Sequence, residues 1–163
     1  MNDDLKLQSC VVRITAQNIE INWLQPYKND DSKTSVGSGF FIEKDGYILT
    51  CSHLVLDSKK IFFEIPFEGR EKYEAKLVYV CPDYDIALLK SINYKPKRVL
   101  QLVNENKMYS INSGEEVYAI GFPLGQNNLK ISKGVISGRQ KGLIQTSAPL
   151  NPGNSGGPLL YKN

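Results

Sequence analysis

The sequence predicts an all-β protein built as a barrel or a sandwich. Short runs rich in β-branched and aromatic residues recur along the chain, separated by turn residues. No amphipathic stretch longer than a turn or two shows helical periodicity. The 163 residues, 41% hydrophobic and 23% charged, are enough for one domain or two small packed halves with their own core.

Taken in order, residues 9–15 read as the first strand and 29–33 as a charged loop. Strands 36–42 and 47–51 flank Glu43-Lys44-Asp45-Gly46, whose Asp-Gly pair suits a tight hairpin turn. Residues 53–58 read as one short helical turn. Strands 60–66 and 73–80 enclose a polar turn at 67–72, and a further strand covers 86–90. Residues 93–114 mix Pro, Lys, Asn and Ser and read as a connection between halves. Strands resume at 116–120, 129–137, 143–146 and 157–161. There is no internal repeat and no low-complexity segment.

The net charge of +3 is too small to argue for nucleic acid. It is unevenly spread: residues 1–82 carry 10 basic and 12 acidic groups, residues 83–163 carry 10 and 5. The acidic N-terminus, Met1-Asn2-Asp3-Asp4-Leu5-Lys6, has no apolar core of a secretory signal, and no apolar run is long enough to span a membrane. Cys10, Cys51 and Cys81 are odd in number and match neither a metal spacing nor a disulfide framework. With no N-x-S/T sequon, these features favour an intracellular setting. One histidine and scattered cysteines also argue that no metal or organic cofactor is required.

Chemistry concentrates near the C-terminus, in Pro152-Gly153-Asn154-Ser155-Gly156-Gly157-Pro158. Glycines on both sides let the backbone bend and expose the Ser155 hydroxyl. They also free main-chain N–H groups in the Gly153-Asn154-Ser155 segment, those of Gly153 and Ser155 above all, to face a developing oxyanion. By itself such a motif is more often a solvated Gly-Pro loop. Partners change the balance. His53, the one histidine in the chain, lies just past the apolar run Tyr47-Ile48-Leu49-Thr50, and an imidazole with an ordinary pKa near ~6.5 serves as base and then acid at neutral pH. Asp85 opens the apolar run Ile86-Ala87-Leu88-Leu89 and is the carboxylate expected to orient His53. Asp57 and Asp83 are the local rivals, read as a helical-turn residue and a turn residue after Pro82. The order His53, Asp85, Ser155 separates folds. An α/β-hydrolase needs a histidine after its serine, and none follows Ser155; the Asp-His-Ser order of subtilisin goes with an α/β fold that the strand pattern opposes. A cysteine peptidase using Cys51 with His53 lacks an oxyanion hole, and Cys51 reads better as a buried small hydrophobe.

From Val36 to Leu160 the chain resembles trypsin-like serine peptidases, most closely the HtrA (Deg) branch. The matching motifs are Gly37-Ser38-Gly39-Phe40, Asp45-Gly46-Tyr47-Ile48-Leu49-Thr50 leading into His53, and Asp85-Ile86-Ala87-Leu88-Leu89. Later come Tyr118-Ala119-Ile120-Gly121-Phe122-Pro123-Leu124-Gly125, Gly134-Val135-Ile136-Ser137 and Ile144-Gln145-Thr146. The resemblance implies two antiparallel β-barrels: a first over residues 1–100 carrying His53 and Asp85, a linker over 101–115, and a second over 116–163 carrying Ser155. It implies a serine endopeptidase acting on polypeptides through an acyl-enzyme, with Pro149 and Leu150 at the floor of the substrate pocket. Asn154, where the secreted digestive branch has aspartate, and Leu54, where that branch has cysteine, both point to the HtrA side. The resemblance includes no peptide-binding PDZ module. Asn163 follows Ser155 by eight residues, so the second barrel is expected to be incomplete, with activity of this chain alone weak or absent. Three readings fit such an ending: the sequence is a fragment, a second copy or a partner chain completes the barrel, or activity has been lost. The alternative is a catalytically inactive trypsin-like module that binds polypeptide or a partner.

Overall fold

The computed structural model describes residues 7–18, 33–69 and 71–161. Six strands, β1 (Val11–Asn18), β2 (Lys33–Glu43), β3 (Tyr47–Thr50), β4 (Lys60–Glu64), β5 (Lys72–Cys81) and β6 (Ile86–Ser91), close into a barrel in the order β1-β2-β3-β6-β5-β4. Every pairing is antiparallel, and β4 returns to β1 with Ile14 opposite Phe63. Closure leaves this half without a free edge.

Alternation along the strands explains the core. In β1, Val12, Ile14 and Ala16 point inward with no exposed surface; in β6, Ala87 and Leu89 do the same. They meet Phe41, Ile48, Ile61 and Phe63 in one continuous interior. An aromatic group closes it: Phe41 meets Phe63 edge to face at 5.7 Å, and Tyr94 stacks on Phe41 at 5.6 Å. The β2–β3 hairpin turns at Gly46, φ +92°, as the Asp-Gly pair predicted.

Strands β7 (Glu116–Gly121), β8 (Lys130–Gln140), β9 (Leu143–Thr146) and β10 (Leu159–Tyr161) form a second antiparallel sheet in the order β10-β7-β8-β9. Val11 of the barrel packs with Ile120 of β7 and with Phe122 just after it, flanked by Phe40 and Leu160, so apolar side chains join the two halves. The all-β architecture read from the sequence is the one observed.

Differences are local. β1 starts at Val11, two residues later than expected, because Cys10 N–H closes a turn on Leu7 O. The charged loop expected at 29–33 lies outside the described residues except for Lys33, which opens β2. The helical turn expected at 53–58 sits slightly earlier, as α1 (Ser52–Val55). The connection at 93–114 contains a helix, α2 (Glu105–Ser110), that composition alone does not predict. Its polar sequence has no apolar stripe. The legible signal was Asn104, whose side chain caps it by accepting from Lys107 N–H at 2.9 Å.

Candidate active site

β3 ends at Thr50 and the chain turns directly into α1, which carries His53 on its outer side. Cys51 precedes this helix and gives it no side-chain cap. The cap comes instead from Asp85. Its main-chain oxygen accepts from Ser52 N–H at 3.2 Å, and its Oδ1 accepts from His53 N–H and from Ser52 Oγ, each at 2.9 Å. A carboxylate against the first N–H groups of a helix satisfies donors that would otherwise be orphaned. The other oxygen, Oδ2, lies 2.7 Å from His53 Nδ1. Asp85 is thus held at two points of main chain and one of side chain while facing the imidazole.

The backbone at Asp85 contributes to this aim. It follows a 3₁₀ turn (Pro82–Tyr84), donates its N–H to Pro82 O at 3.0 Å and sits at φ 53°, ψ 43°. Aspartate tolerates that left-handed conformation better than most residues. Burial acts to raise the Asp85 pKa, but the His53 N–H, the imidazole and the Ser52 hydroxyl outweigh it and hold the carboxyl down to about 2. Asp57 and Asp83 are both exposed and neither hydrogen-bonds His53.

Ser155 is brought to the same place by main-chain contacts. Ser38 of β2 donates its N–H to Ser155 O at 2.8 Å. Its hydroxyl, wholly buried, donates to Gly153 O at 2.6 Å and accepts from Phe122 N–H at 3.0 Å. Thr50 Oγ1 in turn donates to Ser38 O at 2.8 Å. Gly156, at φ +82°, leaves no room for a Cβ: one would run into Ser38 O, Thr50 Oγ1 and Cys51 N. Its N–H reaches the Cys51 sulfur. The serine loop is therefore seated on the segment that leads from β3 into His53. Ser38 and Thr50 lie in sequence motifs that carry no signal of a clamp; that role arises only where the two halves meet. Ser155 Oγ and His53 make no hydrogen bond with each other here.

Gly153, at φ +98°, abuts Phe122 O and Pro123 so closely that only glycine fits. Asn154 N–H, expected to face an oxyanion, donates to Asn151 O at 3.0 Å. Among the described residues, the N–H groups of Gly153 and Ser155 have no protein partner. A cleft of about 540 Å³ opens beside Ser155, lined by Ala119, Ile120, Ile144, Leu150 and Leu159 among others. Leu150 lines it; Pro149 is exposed and does not.

Cys51 lies beside both His53 and Asp85. Its sulfur, an imidazole nitrogen of His53 and a carboxylate oxygen of Asp85 all lie within 4.8 Å of one another. Burial, then the Asp85 charge and a hydrogen bond to it, push the thiol up to about 11, against the lowering effect of the Gly156 N–H. A protonated thiol is a poor nucleophile, which removes support from the cysteine-peptidase alternative.

A closed antiparallel barrel, a second sheet docked on it and a His–Asp pair beside a glycine-flanked serine together define the trypsin-like class. The family described as "Trypsin-like peptidase domain" matches residues 37–163, and the chain belongs to it, in the HtrA branch. A probable periplasmic serine endoprotease, DegP-like, from Pseudomonas fluorescens is 41% identical over 134 residues, 77% of this chain and 27% of that protein. The solved HtrA-type protease AlgW with tripeptide is 30% identical with a TM-score of 0.76, covering 96% of this chain and 48% of that one. The serine endoprotease from Yersinia pestis is 27% identical with a TM-score of 0.73, covering 96% and 51%. The chain thus spans about a quarter of the curated relative's length and about half of the solved chains. Among the described residues, no helix is long and apolar enough to cross a membrane.

Proposed function

We propose that this chain carries the chemistry of a serine endopeptidase. Ser155 Oγ attacks the scissile carbonyl of a polypeptide while His53 takes its proton. Asp85 holds Nδ1 protonated, so that Nε2 is the free base, and stabilises the imidazolium that forms. The N–H groups of Gly153 and Ser155 receive the oxyanion. His53 then returns the proton to the leaving amine, and water resolves the acyl-enzyme by the same route. The observation that carries this reading is the 2.7 Å contact between His53 Nδ1 and Asp85 Oδ2, on a helix start that Asp85 itself pins. The cleft beside Ser155 is lined mainly by apolar side chains and by no carboxylate. Side chains of small or medium apolar residues fit it at P1, and an unpaired Lys or Arg there would be costly to bury.

The test is labelling with a fluorophosphonate, followed by mass mapping. Modification at Ser155, lost in Ser155→Ala and His53→Ala, is expected. No labelling of a folded chain, or labelling elsewhere, refutes the reading. The non-catalytic alternative, a trypsin-like module that binds polypeptide, has one observation on its side: no hydrogen bond joins Ser155 Oγ to His53. Catalytic hydrogen bonds are often long before substrate binds, and the labelling result decides between the two. A peptide library cleaved mainly after Lys or Arg would overturn the specificity.

A further inference from the structure

Cys51 has no part in the serine mechanism, yet it stands against both of that mechanism's ionisable partners. Its sulfur, an imidazole nitrogen of His53 and a carboxylate oxygen of Asp85 fall within 4.8 Å of one another. These are three different donor types from two segments: Cys51 and His53 flank Ser52 after β3, and Asp85 immediately precedes β6. Zinc holds sulfur at about 2.3 Å and imidazole nitrogen or carboxylate oxygen at about 2.0–2.2 Å, so donors sharing one tetrahedral ion stand roughly 3.3–3.8 Å apart. At no more than 4.8 Å from one another, the three donors stand close to that spacing. His53 and Asp85 are about half exposed, at 54% and 45% of their side chains, so an ion reaches them from solvent and a water fills the fourth position.

We propose that Cys51, His53 and Asp85 form a capture site for a thiophilic divalent cation of the zinc class, and that its binding switches the serine chemistry off. Capture rests on the geometry of these three side chains; the inhibitory consequence rests on the function proposed above. Three coordinate bonds form, to Sγ, to one imidazole nitrogen and to a carboxylate oxygen. The thiol releases its proton to solvent as sulfur binds. The Asp85 charge that disfavours a bare thiolate beside it is the charge a cation neutralises. Inhibition follows whichever nitrogen is taken. An ion on Nε2 uses the lone pair that would accept the Ser155 proton. An ion on Nδ1 separates it from Asp85 and leaves the ring proton on Nε2, which can then accept nothing. Sulfur and imidazole select zinc-like ions; Mg²⁺ and Ca²⁺ prefer sets of oxygens. The ion is an inhibitor here and not a cofactor.

The experiment has two readouts on the reduced chain, with Cys51→Ala and Cys51→Ser alongside. Serine approximates the size of cysteine and keeps a hydrogen bond to Asp85, so it covers the case in which alanine disturbs the fold. The first readout is Co²⁺ titration. A sulfur-to-cobalt charge-transfer band with one equivalent bound is expected, absent in both variants, with affinity weakened at least about tenfold. Because Cys10 and Cys81 remain in the variants, a band that persists in them overturns the proposal, as does binding without a sulfur band. The second is fluorophosphonate labelling with and without Zn²⁺, compared within each protein. A fall of at least about tenfold, reversed by chelator, is expected for the unmodified chain, and a much smaller fall for the variants. Equal falls in all three overturn the Cys51 assignment. If nothing labels even without metal, the peptidase reading fails and the cobalt spectrum still decides capture.

Discussion

Replacing Asp85 with asparagine isolates the charge from the shape. Asparagine is comfortable in the left-handed conformation that residue 85 adopts. Its Oδ1 still accepts from His53 N–H and from Ser52 Oγ, both at 2.9 Å in the parent. What changes is the contact at 2.7 Å, where an NH₂ group replaces the carboxylate oxygen facing Nδ1. Nδ1 must then accept, the ring proton moves to Nε2, and Ser155 loses its base. The imidazolium formed during attack also loses its counter-charge. The expected loss in rate is about 10⁴-fold, or about 5.5 kcal/mol of barrier at about 1.4 kcal/mol per tenfold. Stability should move little, by about 1 kcal/mol or less, because the pair is half exposed and screened by solvent. The assay is the second-order rate of fluorophosphonate labelling at Ser155, with thermal melting as the fold control. Asp57→Asn and Asp83→Asn, both on exposed turns, should stay within about threefold of the parent. Labelling of Asp85→Asn within that same range, or an equal loss in either control, refutes the assignment of the acid.

Ser38→Ala removes the hydroxyl that donates to Gly153 O and leaves Phe122 N–H buried without a partner; a loss of about 1–3 kcal/mol in denaturant unfolding is expected, with slower Ser155 labelling, and unchanged values of both would show that the serine loop is held by other means. Gly156→Ala forces a Cβ into Ser38 O and Thr50 Oγ1 at a positive φ, which should destabilise by roughly 2–4 kcal/mol; an unaltered melting temperature would contradict the close seating of the loop. Asp85 also links stability to acid. Its folded pKa, about 2, lies below the ordinary 3.8, so its contribution is present above pH 3.8 and is lost as pH falls through about 2. The difference in melting temperature between the parent and Asp85→Asn should therefore shrink across that window, and a constant difference would argue against a depressed carboxyl.

Much of the molecule was decided by local sequence. Alternation in Val12, Ile14 and Ala16 gives a strand with one buried face whatever its partners are, because side chains of a pleated backbone repeat every two residues. Asp45-Gly46 sets the β2–β3 hairpin through the positive φ that glycine adopts freely. Composition and chain order then brought His53, Asp85 and Ser155 forward as candidates. Tertiary structure decided what those residues face. Ser38 and Gly153 are 115 residues apart, and their hydrogen bond exists only because the second sheet docks on the barrel. Within the serine loop, a local turn takes Asn154 N–H and leaves those of Gly153 and Ser155 open. Docking of the second sheet seats Gly156 against Thr50 and Cys51, and Leu150 lines the cleft while Pro149 stays outside. The Cys51 sulfur meets Asp85 because β3 and β6 pair at Thr50 and Ala87, next to the ends from which both residues project. Periodicity along a chain records which face of a strand is buried. It carries no information about which distant backbone will lie across that face, and the contacts that join His53, Asp85 and the serine loop are of that second kind.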